Sequence, residues 1–234
     1  MRASALFFAA AVLPLAALPA KAGQLIVVEA RGVALAPGAG VDDSKPLDLK
    51  QGQHVTLISQ SGVTISLDGP YNKPPSAAIA GGTSLSNRVG SGFITEANAR
   101  TGEVGTTRNA SNIRKLPSAW VIDAGRAGTA CLREGQTPVF WRDPASATAS
   151  LTVMPDDRSW KVLTEWPAGL SELAVKTNIP MHAGATYFVS LDGNESAIAV
   201  NTVPAALSSD QQRAAWMADK GCEAQAEALA RNQR

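Results

Sequence analysis

The sharpest regularity along the chain lies between Gln51 and Asp68. Val55 and Leu57 flank Thr56, then Val63, Ile65 and Leu67 alternate with Thr64, Ser66 and Asp68, and Ser61-Gly62 separates the two runs. A period of two puts every second side chain on one face, so this segment predicts a β-hairpin with a buried apolar side. Gly69-Pro70 ends it, because proline cannot donate to a ladder. Upstream, Leu25-Ile26-Val27-Val28 is short and rich in β-branched residues, as a buried strand is, and Ala36-Pro37-Gly38-Ala39-Gly40 breaks the chain after it.

From Tyr71 to Pro117 the pattern dissolves. Pro74-Pro75, Gly81-Gly82, Gly90, Gly92, Gly102 and Gly105 punctuate a stretch of Ala, Ser, Thr and Asn in which no apolar period persists. It reads as a linker or a partly ordered excursion, with a short helix expected around Ser84 to Ala99. After Ser118 strand signals return: Ala119 to Asp123, Thr129 to Arg133, Pro138 to Arg142, Ala147 to Val153, Trp160 to Trp166, Leu170 to Val175, Thr186 to Leu191 and Ala197 to Val203. Short strands with turns recurring at this spacing describe a β-sandwich. Ser208 and Ser209 stand three residues before Gln211 and Gln212, the spacing of a capping box. A helix is expected from there, interrupted at Lys220-Gly221 and resumed through the alanine-rich Cys222 to Ala230. The chain is therefore read as mainly β: a small N-terminal β-domain over 23–70, the excursion over 71–117, a β-sandwich over 118–207 and a C-terminal helical segment over 208–234.

The amino terminus adds a destination. Arg2 precedes an apolar run from Leu6 to Leu18, and Ala20-Lys21-Ala22 places small residues where a signal peptidase cuts. The run is shorter than the roughly 20 residues that span a bilayer and contains Pro14. Residues 1–22 are expected to be a removed signal peptide, leaving a periplasmic or secreted protein with no membrane span. Trimming removes Arg2 and Lys21 and leaves 19 basic side chains against 20 acidic ones. With no basic stripe beyond Arg108, Arg114 and Lys115, nucleic acid is not an expected partner. The two cysteines, Cys131 and Cys222, are an even pair in an oxidising compartment and are expected to form a disulfide between the sandwich and the terminal helix.

Candidate chemistry is sparse. His54 and His182 are the two histidines, and neither has a second ligand at metal-binding spacing. Asp42-Asp43 and Asp156-Asp157 read as turn residues rather than a calcium loop. There is no Gly-x-Ser-x-Gly or Ser-x-x-Lys motif, and Gly38-Ala-Gly40 and Gly90-Ser-Gly92 lack the rest of a nucleotide fingerprint. No catalytic, cofactor-binding or metal-ligating residue is nominated, and no cofactor is expected. Trp160 and Trp166 differ by an even number, so they share a strand face. Core packing is the leading reading of that face; were it exposed, the pair would make a ligand platform of the kind that stacks sugars.

Two resemblances bear on architecture. Cys131 followed by Trp141, together with Gly184-Ala185-Thr186-Tyr187, resembles the cysteine, core tryptophan and tyrosine corner of immunoglobulin-like domains. Val189 stands where that family's second cysteine would fall, so its inter-sheet bridge cannot form here. Gly52-x-x-Val55-x-Leu57 and Gly62-x-x-Ile65-x-Leu67-x-Gly69-Pro70 are similar to bacterial FecR-type periplasmic β-domains. That resemblance implies envelope signalling or assembly rather than catalysis, and no functional residue is carried over. The resulting expectation is a non-enzymatic envelope protein that binds a protein partner or serves a structural role. The alternatives are an envelope-polymer hydrolase, using carboxylates such as Asp123, Glu165 and Asp192 or His182 in an interdomain cleft, and a carbohydrate-binding module using Trp160 and Trp166.

Overall fold

The computed structural model describes residues 23–84, 114–176 and 181–231. The expected signal peptide and nearly all of the helix expected over 84–99 lie outside the described residues. Within them the protein is mainly β, with a helix pair at its carboxyl end.

The hairpin forms as β4 (His54–Ile58) and β5 (Thr64–Asp68), paired in register from His54↔Asp68 to Ile58↔Thr64. It joins β1 (Gln24–Arg31) and β2 (Gly40–Asp42) in a sheet of order β2-β1-β4-β5. One face packs Leu25, Val27, Val55, Leu57, Ile65 and Leu67 into a core of its own. The module continues past Pro70. β6 (Tyr71–Lys73) pairs with β3 (Leu47–Leu49), the short helix α1 (Ser76–Ile79) follows, and Thr83 bridges back to Thr64. The prolines and glycines that suggested a linker from residue 71 are, as far as Thr83, turns inside this module. Tyr71 and Ile79 pack against its core, and the Tyr71 hydroxyl donates to the Pro74 carbonyl at 3.0 Å.

All eight strands expected after Ser118 are present. β7 (Val121–Asp123), β9 (Val139–Trp141) and β12 (Glu172–Ala174) form one sheet, in the order β12-β9-β7. β8 (Gly128–Arg133), β10 (Ala149–Pro155), β11 (Val162–Trp166), β13 (Thr186–Leu191) and β14 (Asn194–Val203) form the other, in the order β11-β10-β13-β14-β8. Ile122 and Phe140 from the first sheet meet Leu132, Leu151, Val153, Val189, Ile198 and Val200 from the second, which makes the pair a sandwich. Two pairings, β8 with β14 and β7 with β9, are parallel.

The terminal segment folds as α2 (Asp210–Asp219) and α3 (Glu223–Arg231). Ser209 is the cap. Its hydroxyl accepts from the Gln212 N–H at 3.1 Å while the Gln212 side chain accepts from the Ser209 N–H at 3.3 Å. Gly221, at φ +79, makes the turn between the helices in a conformation that disfavours any side chain. Ala214, Ala215, Trp216, Met217, Ala226 and Leu229 of the pair pack with Leu116, Val121 and Trp141 on the sandwich side and with Ile26, Val28 and Ile58 of the N-terminal sheet. The helices are thus the layer between the two β units. The hairpin turn seats closely on them: the Ser209 hydroxyl donates to the Gln60 carbonyl at 2.9 Å, and a Cβ on Gly62 would lie 2.8 Å from the Gln211 carbonyl oxygen.

Cys131 and Cys222 are bonded to each other, with Cα atoms 6.0 Å apart and both residues buried. The disulfide ties the start of α3 to β8, as the count of two cysteines suggested. Among the described residues no helix is long and apolar enough to cross a membrane.

Candidate functional site

Three loops gather at one end of the sandwich: the β7–β8 turn, the β9–β10 connection and the β13–β14 turn. Between them lies an open cavity of about 290 Å³ lined by Arg114, Arg142, Asp143, Ser146 and Asp192, among others. Loops carried on a rigid sandwich are where such domains place recognition surfaces. The cavity belongs to the sandwich; it is not a cleft between the two β units.

Arg142 forms its inner wall. The residue immediately follows β9, and strand parity points it to the same side as Phe140, into the sandwich. Only 5% of it is exposed. Its Nη2 donates to the carbonyls of Ala147 at 2.7 Å, Pro167 at 2.9 Å and Trp166 at 3.4 Å, and its Nε lies 3.4 Å from the Leu170 carbonyl. The guanidinium stands over the Trp166 ring, 4.9 Å from its centroid. Among the described residues no carboxylate touches it. Carbonyl dipoles and the ring quadrupole alone offset the cost of burying this charge, and in doing so they fasten the β9–β10 loop to the β11–β12 loop.

Arg114 stands at the rim. Its guanidinium lies 4.6 Å from the centroid of the Trp141 ring, with Nη1 3.4 Å from both carboxylate oxygens of Asp123. Nη2 donates to the Asp143 carbonyl and sits 3.6 Å from the Asp143 carboxylate. Across the cavity, the Asp192 carboxylate accepts from the Ser150 N–H at 2.7 Å, and Asp192-Gly193 makes the two-residue turn of the β13–β14 hairpin with both residues at positive φ. Arg114, Arg142 and Asp192 are therefore held in place before any ligand arrives.

Of the carboxylates considered for hydrolysis, Asp192 lines the cavity, Asp123 is engaged by Arg114, and Glu165 is exposed on β11. The histidines lie elsewhere. His54 is on the N-terminal sheet, its Nδ1 2.7 Å from Asp68 and its Nε2 3.1 Å from the Thr56 hydroxyl. His182 is exposed, and its backbone N–H donates to the Tyr187 hydroxyl at 2.9 Å. Asp42 and Asp157 accept from Ser44 and Ser159 in turns. No group of three or more His, Cys, Asp or Glu placed to hold a metal occurs among the described residues.

Trp160 and Trp166 do share a face, and it is turned inward. Trp166 is 0% exposed, while Trp160 is half-buried against the same core with its ring 6.0 Å from that of Tyr187. A stacking platform would need that face outward, so the pair serves packing. Sequence reasoning overlooked Arg142, which follows a strand of three residues that shows no alternation of its own. Arg114 was noticed only as one of a few basic residues.

Fold and site together describe a disulfide-tied β-sandwich whose loop end carries two fixed arginines beside Asp143 and Asp192, joined through two helices to a smaller β unit. The chain matches no protein-family model, no curated protein and no solved structure.

Proposed function

We propose that this chain is a non-enzymatic, exported protein of the cell envelope, periplasmic or secreted, that binds a protein partner through the loop end of its sandwich. The observation that carries the reading is the state of the two arginines lining the cavity. Each is stacked on a tryptophan, Arg114 on Trp141 and Arg142 on Trp166, and each is braced by carbonyl or carboxylate oxygens. Arginine backed by an aromatic ring and fixed before contact is the kind of group that carries binding energy at protein interfaces, because little side-chain entropy remains to be lost. The bonded Cys131–Cys222 pair supports an oxidising destination, in keeping with the amino-terminal pattern.

Affinity capture from envelope extracts tests the reading, with the purified protein as bait and an Arg114→Glu variant beside it. A discrete protein retained by the wild type and lost with the charge reversal supports the proposal. Turnover of an envelope polymer by the purified protein, or capture that ignores the reversal, contradicts it.

A further inference from the structure

β11 forms an edge of the five-stranded sheet, with β10 its one strand neighbour. The Ser150 carbonyl accepts from Asp192 on the β13 side, so Leu151 and Val153 turn their backbone groups toward β11, where they face Thr164 and Val162. The N–H and C=O groups of Leu163 and Glu165 consequently point away from the sheet. Leu163 is 66% exposed, and Leu170, in the turn that follows, is 49% exposed; these are the exposed large apolar side chains among the described residues. An open edge carrying an outward leucine, with neither proline nor bulge to blunt it, is a template for another strand.

What that strand is can be read from the edge itself. Trp160-Lys161-Val162-Leu163-Thr164-Glu165-Trp166 is nearly its own mirror image about Leu163, with tryptophan at both ends, Lys161 reflected by Glu165, and one β-branched residue, Val162, by another, Thr164. Lys161, Leu163 and Glu165 are the exposed positions. In an antiparallel pair of two copies centred on Leu163, each Lys161 stands opposite a Glu165 and the two leucines face each other. The groups that point outward are also the ones this register requires: Leu163 exchanges two N–H···O bonds with its copy, and the flanking pairs bring the total to roughly six. A parallel pairing in register would instead set Lys161 beside Lys161 and Glu165 beside Glu165, which is unfavourable.

We infer that the protein forms a twofold homodimer by antiparallel pairing of its β11 edges, which joins the two larger sheets into one. This goes beyond the partner-binding reading and uses a strand edge rather than the loop end, so either can fail alone.

Sedimentation equilibrium of the purified protein tests it, with unfolding midpoints confirming that these exposed substitutions leave the fold intact. The expected result is a reversible monomer–dimer equilibrium whose Kd rises at least tenfold in Leu163→Lys. Lys161→Glu and Glu165→Lys should each raise the Kd about tenfold, since each turns both cross-strand attractions into repulsions, and the double swap should restore it to within about threefold of the wild type. Leu163→Cys should cross-link the two copies on mild oxidation, because directly opposed residues in such a pair have Cα atoms about 5.5 Å apart, within disulfide reach. Cysteine at exposed Asp48 should not. A protein that stays monomeric to several hundred micromolar, a dimer indifferent to Leu163→Lys, or an edge that takes only a foreign peptide overturns the inference.

Discussion

Gln225 treats Cys131 as a neighbouring strand would. Its Oε1 accepts from the Cys131 N–H at 2.6 Å and its Nε2 donates to the Cys131 carbonyl at 2.9 Å, with a further bond to the Ala119 carbonyl at 2.8 Å. β8 is an edge strand, and one glutamine, 3% exposed, satisfies the backbone groups it would otherwise leave buried and unpaired. Three residues earlier the same helix begins beside Cys222, so a covalent bond and a side-chain clamp hold the one strand.

Replacing Gln225 by alanine strands an N–H and two carbonyls in a dry interior. Chemical unfolding with the disulfide intact should show a loss of about 3 kcal/mol. A loss well under 1 kcal/mol would mean that water reaches the strand.

Removing the disulfide with Cys131→Ala and Cys222→Ala frees a separation of 91 residues in the unfolded chain. In the chain-entropy model this costs about 4 kcal/mol. The denaturation midpoint should fall accordingly, while far-ultraviolet dichroism of the folded state keeps its helical component, since Trp216, Met217 and Leu229 still anchor the pair in the core. Loss of that component under native conditions would show that the covalent bond, rather than packing, holds the helices.

Arg142→Met keeps much of the side-chain volume but withdraws the donors shared by four carbonyls. A destabilisation of about 3 kcal/mol is expected. Its local mark should be faster hydrogen exchange at the Gly169 amide, which bonds the Ala145 carbonyl at 2.7 Å between the two loops that Arg142 fastens. Unchanged exchange there would contradict the fastening role.

The Ser44 turn holds the Asp42 carboxyl below the usual carboxylate range. Hydrogen bonds from the Ser44 hydroxyl and amide, joined by Lys45, stabilise its carboxylate and lower its pKa to about 2. The ordinary value is about 3.9, so its stabilising contribution is complete above that pH and is lost as the pH falls from there through about 2. Titration followed by carboxyl carbon shifts should place the midpoint near 2 in the wild type. Ser44→Ala should move it toward the ordinary value, and an unmoved midpoint would refute the assigned cause.

Much of the fold was legible because alternation survives in the longer strands. In β10 buried positions alternate with more accessible ones from Ala149 to Pro155, and the alternating runs around Val55 and Ile65 form the expected hairpin, β4 with β5. Strands of three residues, such as Gly40–Asp42, Leu47–Leu49 and Tyr71–Lys73, are too short to display a period. The parallel pairings β7 with β9 and β8 with β14 depend on contacts no local pattern encodes. Gln225 illustrates the limit. In an alanine-rich helix it reads as a solvent-facing residue, and its burial follows from a strand edge 94 residues away. The cysteines were easier, since two of them leave one intramolecular pairing. The loop-end cavity was not legible at all: Arg114, Arg142 and Asp192 come from three separated segments that only the closed sandwich brings together.

Photo-cross-linking in living cells tests most directly whether the loop end engages a protein. A light-activated residue is placed at Ser146 on the cavity and, as a control, at exposed Asp48 on the N-terminal unit. A single discrete adduct from position 146 with a protein other than the chain itself, formed outside the cytoplasm and absent from position 48, is the predicted result. Equal adducts from both positions, or none from 146 in cells where the chain is abundant, would contradict it.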